Sequence, residues 1–269
     1  MLHCRKYIKD ENSDWVVFIH GMGGSSAVWY KQIKDYKKHF NLLLIDLRGH
    51  GRSKDLDPIE KYTFEQIGQE VINTMDREGI QEAFFVGISL GTIVINAISN
   101  IAPERVKAMV LGGALTRFNL AKKILIKLSV VLRALLPYMV LYKLCATIIM
   151  PCKAHEKSRR IFIREAKKLG HEEFLRWYHA IVGETEKVHN IAKNFKNKIP
   201  RLYIMGSEDY MFLKIIKRDL IHYAKAQLSI IENAGHVCNI DKPKEFNLRS
   251  IEFLQQCAVN IVPKSCEVV

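Results

Sequence analysis

Short apolar runs alternate with longer amphipathic stretches over most of the chain. The runs are rich in β-branched and aromatic residues, which favour strands, and they lie at 15–19, 41–45, 83–86, 106–111, 201–205 and 227–231. The stretches between them have helical spacing and lie at 26–39, 63–78, 89–100, 210–224 and 243–257. Residues 2–8 alternate apolar and polar side chains and predict an edge strand. The sequence therefore predicts an α/β fold with a mostly parallel, doubly wound sheet of about seven strands.

The alternation stops between about residues 115 and 199. This segment has almost no glycine, many strong helix formers and no convincing strand, and the strand pattern returns at Arg201. It is therefore predicted to be a helical cap, or lid, inserted into one α/β-core that comprises residues 1–114 and 200–269.

The composition suits a protein with a large core, because the 269 residues are 48% hydrophobic. The residues after Met1 lack the apolar run of a secretory signal. The longest uncharged apolar run of the middle segment, 134–142, ends at Lys143 and is too short to span a membrane. We therefore expect a soluble, cytoplasmic protein.

The six cysteines are scattered through the chain and form no C-x-x-C pair. In a cytoplasmic protein they are expected to be reduced thiols. No group of histidines and cysteines has the spacing of zinc ligands along the sequence, so no metal site is expected.

Nearly all of the net charge of +13 lies in the predicted cap, where residues 116–198 contain 18 Lys or Arg and 6 Asp or Glu. A basic segment can be a solvated surface, a field that steers acidic ligands, or a contact with an anionic membrane. Residues 118–152 are also unusually apolar, so they either pack on the core, line an acyl-chain channel or touch a membrane. No nucleic-acid-binding motif is recognisable, and we expect no nucleic-acid partner.

Four stretches that could carry chemistry follow predicted strands, where parallel sheets place their ligands. They are FIHGMGGSS at 18–26, VGISLGT at 86–92, MGSEDY at 205–210 and NAGHV at 233–237. Together they supply a glycine-rich loop, a serine, a carboxylate and a histidine, in the order Ser, Asp, His. The glycine-rich loop matches neither the G-x-x-x-x-G-K-[ST] nor the G-x-G-x-x-G pattern of phosphate binding.

These stretches, together with DLRGHGRS at 46–53, resemble the α/β-hydrolase superfamily over essentially the whole chain. The resemblance implies that Ser89, in the G-x-S-x-G pattern of Gly87 and Gly91, is a nucleophile on a tight strand-to-helix turn. It implies that His236 is the general base, and that the backbone amides of Met22 and Leu90 bind the oxyanion. No cofactor is implied.

Asp209 is the predicted third member of the triad, because it lies three residues beyond Gly206, the spacing usual in the superfamily. The adjacent Glu208 is the alternative and is expected to point to solvent. Among the other histidines, those at 20 and 50 are expected to be structural, and those at 155, 171, 179 and 189 to lie on the cap surface.

The sequence thus predicts a serine hydrolase of carboxylic esters with an apolar acyl chain, similar to carboxylesterases or monoacylglycerol lipases. A serine at the elbow excludes the aspartate-nucleophile enzymes of this fold. A thioester, a lactone or a carbon–carbon bond remains an alternative substrate, because the same triad cleaves them all. A non-catalytic ligand-binding or signalling protein of the same fold also remains open.

Overall fold

A computed structural model describes residues 1–57, 59–117, 136–183, 199–220 and 226–261 of the chain, without the side chains of the last two. Several predictions fall elsewhere. Residues 118–135 of the apolar segment 118–152, the histidine at position 189 and the end of the helix predicted to reach residue 224 lie outside the described residues.

Seven strands form one sheet, as predicted. They are β1 (Cys4–Tyr7), β2 (Trp15–Ile19), β3 (Asn41–Ile45), β4 (Ala83–Ile88), β5 (Val106–Gly112), β6 (Arg201–Gly206) and β7 (Ala226–Ile231). Their order across the sheet is β1-β3-β2-β4-β5-β6-β7. Only β1 is antiparallel to its neighbour, β3, and every other neighbouring pair is parallel. The predicted doubly wound, mostly parallel sheet is therefore confirmed.

The described helices are α1 (Tyr30–Tyr36), α2 (Phe64–Arg77), α3 (Leu90–Ile101), α4 (Tyr138–Ile149), α5 (Glu156–Ala166), α6 (His171–Gly183), α7 (Leu213–Leu220), α8 (Cys238–Asp241) and α9 (Pro243–Ile261). The helix predicted at 26–39 is a 3-10 turn, Ser26–Trp29, followed by the shorter α1. Thr63 caps α2 by accepting the Gln66 N–H, as the capping-box spacing predicts.

Two apolar layers cover the sheet, one on each face. Along β2, Val17 and Ile19 face the layer that contains α2 and α3, while Val16 and Phe18 face the layer that contains α1 and α9. Side chains of a strand alternate between faces, so a strand buried on both sides must be apolar at every position. This is why β2 to β6 appear in the sequence as apolar runs, with polar side chains only at or near their first residues.

Helices α4, α5 and α6 lie between β5 and β6, within the segment predicted to be a cap. Helix α6 is held on the core by Trp177, which is fully buried and donates its indole N–H to the Arg48 carbonyl at 3.1 Å. Tyr142 of α4 stacks on Phe162 of α5 with ring centroids 4.8 Å apart. Among the described residues, no helix is both long and apolar enough to cross a membrane.

Candidate active site

Ser89 lies between the end of β4 and the first residue of α3, on a strained turn. Its backbone has φ 54° and ψ −120°, a region that residues other than glycine rarely adopt. Two backbone hydrogen bonds fix the turn: the Ser89 N–H donates to Gly112 O at 2.9 Å, and the Thr92 N–H donates to Ser89 O at 2.9 Å. The strain presents the hydroxyl at the carboxyl edge of the sheet.

The two glycines of the G-x-S-x-G pattern provide space where the strand and the helix cross. A Cβ on Gly91 would lie 2.2 Å from the Ile19 carbonyl oxygen, and a Cβ on Gly87 would lie 2.5 Å from the side chain of Ile95. The first clash is with the backbone of a central strand, which cannot move aside. Glycine at position 91 is therefore required for α3 to start directly after Ser89.

Ser89, His236 and Asp209 form one hydrogen-bonded chain. The Ser89 Oγ lies 2.8 Å from His236 Nε2, and His236 Nδ1 lies 2.8 Å from Asp209 Oδ2. Asp209 is fully buried and His236 is 2% exposed. Since the carboxylate only accepts hydrogen bonds, Nδ1 carries the ring proton and Nε2 is free to accept the serine proton.

The loops after β6 and β7 place the acid and the histidine. The Phe212 N–H donates to Asp209 Oδ1 at 3.0 Å, which leaves the second carboxylate oxygen for His236. Gly113, with φ +50°, lies so close to the His236 backbone that a Cβ there would be 2.2 Å from its carbonyl oxygen. The structure thus brings together all three residues predicted for the triad.

The structure separates the two candidate acids. Glu208 Oε2 lies 2.7 Å from Nε2 of His155, and the side chain is 25% exposed, so it contacts a buried histidine while part of it reaches solvent. His155 is fully buried, and its predicted surface position was wrong. A lone histidine in a basic segment gave no sign that the turn carrying it packs against the acid loop. His171 and His179 are exposed, as expected.

The residues predicted to bind the oxyanion lie on either side of Ser89. Leu90 is the first residue of α3, and the loop of Gly21 and Met22 contacts the elbow, since a Cβ on Gly21 would lie 3.2 Å from Ser89 Cβ. Tyr142 of the predicted cap donates its hydroxyl to the Met22 carbonyl at 3.1 Å. Burial raises the pKa of Tyr142 well above its ordinary value, so this donor keeps its proton. The oxyanion role of the two amides stays a prediction.

Two buried histidines support the glycine-rich loop. His50 Nε2 accepts the Gly23 N–H at 2.9 Å, and His20 Nε2 accepts the Leu47 N–H at 3.0 Å. Each ring can accept only through a nitrogen that lacks a proton, so both are neutral, with the proton on Nδ1. Burial lowers the pKa of both histidines, that of His50 to about 3. This geometry gives both histidines the structural role that was expected of them.

A small apolar pocket of about 20 Å³ adjoins Ser89. Its lining includes Ile88 from the sheet, Ile161 and Phe162 from α5, Val237 from the loop after β7 and Ile240 from α8. The pocket shares some of these walls with a larger groove of about 670 Å³ along α5. Sequence patterns did not identify the contribution of α5, because apolar residues at helical spacing are more often simply core.

The fold and the arrangement of this site define a class. The seven-stranded sheet, the strained serine between strand and helix, and the acid and histidine on later strand ends place the chain in the α/β-hydrolase superfamily. The protein-family model for the alpha/beta hydrolase fold matches residues 14–140 of the sequence.

Several known proteins similar to this chain are hydrolases. One relative is the (E)-2-((N-methylformamido)methylene)succinate hydrolase of Acinetobacter baylyi, 25% identical over 255 residues, which are 90% of this chain and 90% of that protein. An Escherichia coli esterase is 29% identical over 99 residues, 37% of this chain and 38% of the esterase. The crystal structure of the enol-lactonase from Burkholderia xenovorans superposes with a TM-score of 0.76 and 24% identity, over 94% of this chain and 96% of that one. The protein is thus a hydrolase of this superfamily, while the bonds its relatives cleave differ.

Proposed function

We propose that this protein is a serine hydrolase that cleaves carboxylic esters through an acyl-enzyme. The hydrogen-bonded chain from Ser89 through His236 to Asp209 is the observation that carries the proposal. A serine hydroxyl is a weak nucleophile until a neighbouring base removes its proton, and His236 lies within hydrogen-bond distance to do so. Asp209 then stabilises the protonated imidazole.

The proposed reaction also requires that the negative charge on the substrate is stabilised and that His236 returns the proton it has taken. The negative charge on the carbonyl oxygen is stabilised by the amides of Met22 and Leu90 at the positive end of α3. His236 gives its proton to the departing alcohol, which leaves the acyl group on Ser89. It then takes a proton from water, the hydroxide attacks the acyl carbonyl, and His236 returns the proton to the Ser89 oxygen as the acid departs.

The walls of the small pocket support an apolar acyl chain. Isoleucine, valine and phenylalanine side chains line the pocket beside Ser89. Ile161 and Ile240 also line the groove along α5, whose other walls include charged side chains of α5. Lactones, thioesters and carbon–carbon bonds are the competing substrates, and the similarity to an enol-lactonase makes the lactone the first of these to assay.

Labelling with a fluorophosphonate tests the proposal directly. We expect a covalent adduct on Ser89, loss of p-nitrophenyl ester hydrolysis on labelling, and neither labelling nor hydrolysis in Ser89→Ala. A wild-type protein that folds but takes up no probe would instead indicate a ligand-binding member of the superfamily. Full ester hydrolysis by Ser89→Ala would refute the proposed nucleophile.

We also propose that α4 touches anionic membrane surfaces. Val140 and Leu144, four residues apart on one face, are 46% and 45% exposed, and the exposed Lys143 lies beside them. Apolar side chains next to a cation suit the interface between acyl chains and acidic headgroups.

A further inference from the structure

Three potential metal ligands converge where the turn before α5 meets the loop after β6 that carries Glu208 and Asp209. They are Cys152, His155 and Glu208, and one ligand atom from each lies within 4.8 Å of the others. Cys152 and His155 are separated by two residues, a spacing at which one turn can offer both side chains to the same ion. The earlier expectation of no metal site considered spacing along the sequence, whereas Glu208 arrives from a distant strand end.

The state of His155 points to a ligand. The residue is fully buried, and neither ring nitrogen has a hydrogen-bond partner among the described residues. Nε2 approaches Glu208 Oε2 to 2.7 Å, but that oxygen also lacks a partner with hydrogen-bond geometry. A buried polar atom without a partner is costly, and two that face each other can both be satisfied by a cation between them.

We propose that Cys152, His155 and Glu208 bind a divalent transition-metal ion, with Zn²⁺ as the best match. A thiolate, an imidazole and a carboxylate are the three donor types that zinc accepts, and the fourth position would be left to water. Ligand atoms around tetrahedral zinc lie about 3.3–3.8 Å apart. Cys152 is half-buried and the Glu208 side chain is 25% exposed, so both can rotate by the small amount that this requires.

The site joins parts of the molecule that meet at the triad. Glu208 immediately precedes Asp209, and the His155 ring packs on the backbone of Gly235, where a Cβ would lie 2.8 Å from it. Gly235 immediately precedes His236. A bound ion would therefore fasten the turn before α5 to both loops that carry the acid and the base.

Cobalt titration of the full-length, metal-free protein tests this inference. We expect one Co²⁺ per chain, with a thiolate-to-cobalt charge-transfer band, visible bands of tetrahedral coordination, and displacement by Zn²⁺. Zn²⁺ should also raise the melting temperature, since an ion that binds only the folded state stabilises it. These readouts do not depend on hydrolysis, so they can fail or succeed independently of the proposed esterase.

Variants identify the ligands. Cys152→Ser should abolish the charge-transfer band, and Glu208→Gln should weaken Co²⁺ binding at least tenfold, by analogy with the roughly 10–100-fold losses on altering residues behind a metal ligand. Cys145→Ser removes another half-buried cysteine of the same segment and should behave as wild type. Absence of the band in wild type, or its retention in Cys152→Ser, would overturn the proposal. Melting temperatures of the metal-free variants show that each is folded.

Discussion

His50 accepts the backbone N–H of Gly23 at 2.9 Å, so one loop holds the backbone of another. Gly23 directly follows Met22, whose amide is a predicted oxyanion donor. The imidazole can do this only while neutral, because its protonated form has no lone pair on Nε2. The shape of the glycine-rich loop is therefore linked to the protonation of His50.

Stability should fall as the pH decreases from 7 to 5. Burial lowers the pKa of His50 to about 3, with the nearby His20 acting in the same direction and Asp46 against it. In the unfolded chain His50 takes up a proton below a pH of about 6.5, whereas in the folded protein it stays neutral down to about pH 3. The free energy of unfolding therefore decreases as the pH falls from about 6.5 toward 3. His50→Gln keeps an acceptor and a donor but does not titrate. Measured by urea unfolding, the free energy of unfolding should decrease between pH 7 and pH 5 by about 2 kcal/mol less in this variant than in wild type. If the free energy of unfolding changed equally with pH in both proteins, the role given to His50 would be contradicted.

Asp209→Asn should lower kcat for ester hydrolysis by about 10⁴-fold, because an amide favours the wrong imidazole tautomer. The fold should persist, since asparagine has nearly the same shape and can still accept the Phe212 N–H. The surface residue Glu245 on α9 provides the matched control, Glu245→Gln, with wild-type kcat expected. A loss of less than tenfold in Asp209→Asn would show that another acid supports His236.

Gly91→Ala should destabilise the protein by about 3 kcal/mol, the upper end of the usual cost of overpacking. The added methyl carbon would lie 2.2 Å from Ile19 O, against a central strand. Gly183→Ala is the control, because no atom of the described residues lies within 4 Å of a Cβ there. Denaturant unfolding of the two variants measures the difference, and similar values for both would argue against a tight crossing at the elbow.

Ile161→Trp should shift the preference toward short acyl chains. Ile161 lines both the small pocket and the groove, so a larger ring there takes up space in both. The measurement is kcat/KM for p-nitrophenyl esters of increasing chain length. Acetate should be nearly unaffected, and longer esters should lose about 10-fold or more, within the range for steric changes in apolar pockets. Leu248→Trp, at a site 59% exposed on α9, should leave the profile unchanged. A wild-type preference for acetate would contradict the lipid-like acyl chain.

Vesicle sedimentation tests the membrane contact of α4. We expect binding to vesicles that contain anionic lipid, weaker binding in high salt, and loss of binding when Val140 and Leu144 are both replaced by serine. If the protein bound neutral vesicles and this binding did not depend on salt, the electrostatic part of the proposal would be contradicted. Ester hydrolysis of the double variant in solution provides the test of folding.

The sequence was most informative where one physical constraint acts on several neighbouring residues. Buried parallel strands must be apolar throughout, and this made each strand visible. The elbow was visible because Gly91 is required by a backbone contact. The choice of Asp209 over Glu208 came from the superfamily spacing, and the structure places Asp209 beside His236.

Contacts between distant segments left no comparable pattern. Nothing near Glu208 indicated that His155 lies against it, because each residue alone has the sequence context of an ordinary surface position. The support of the predicted cap by Trp177 on the Arg48 carbonyl was hidden in the same way. Such contacts depend on how the inserted helices sit on the core, which local periodicity does not encode.

The antiparallel strand β1 has a consequence for behaviour at high concentration. As an outer strand of the sheet, it has one side on which backbone groups are available to pair with another molecule. Arg5 and Lys6 occupy its centre and are both exposed. Lys6 pairs with Glu78, so Arg5 supplies the charge that disfavours pairing with the same strand of a second copy, the first step of aggregation.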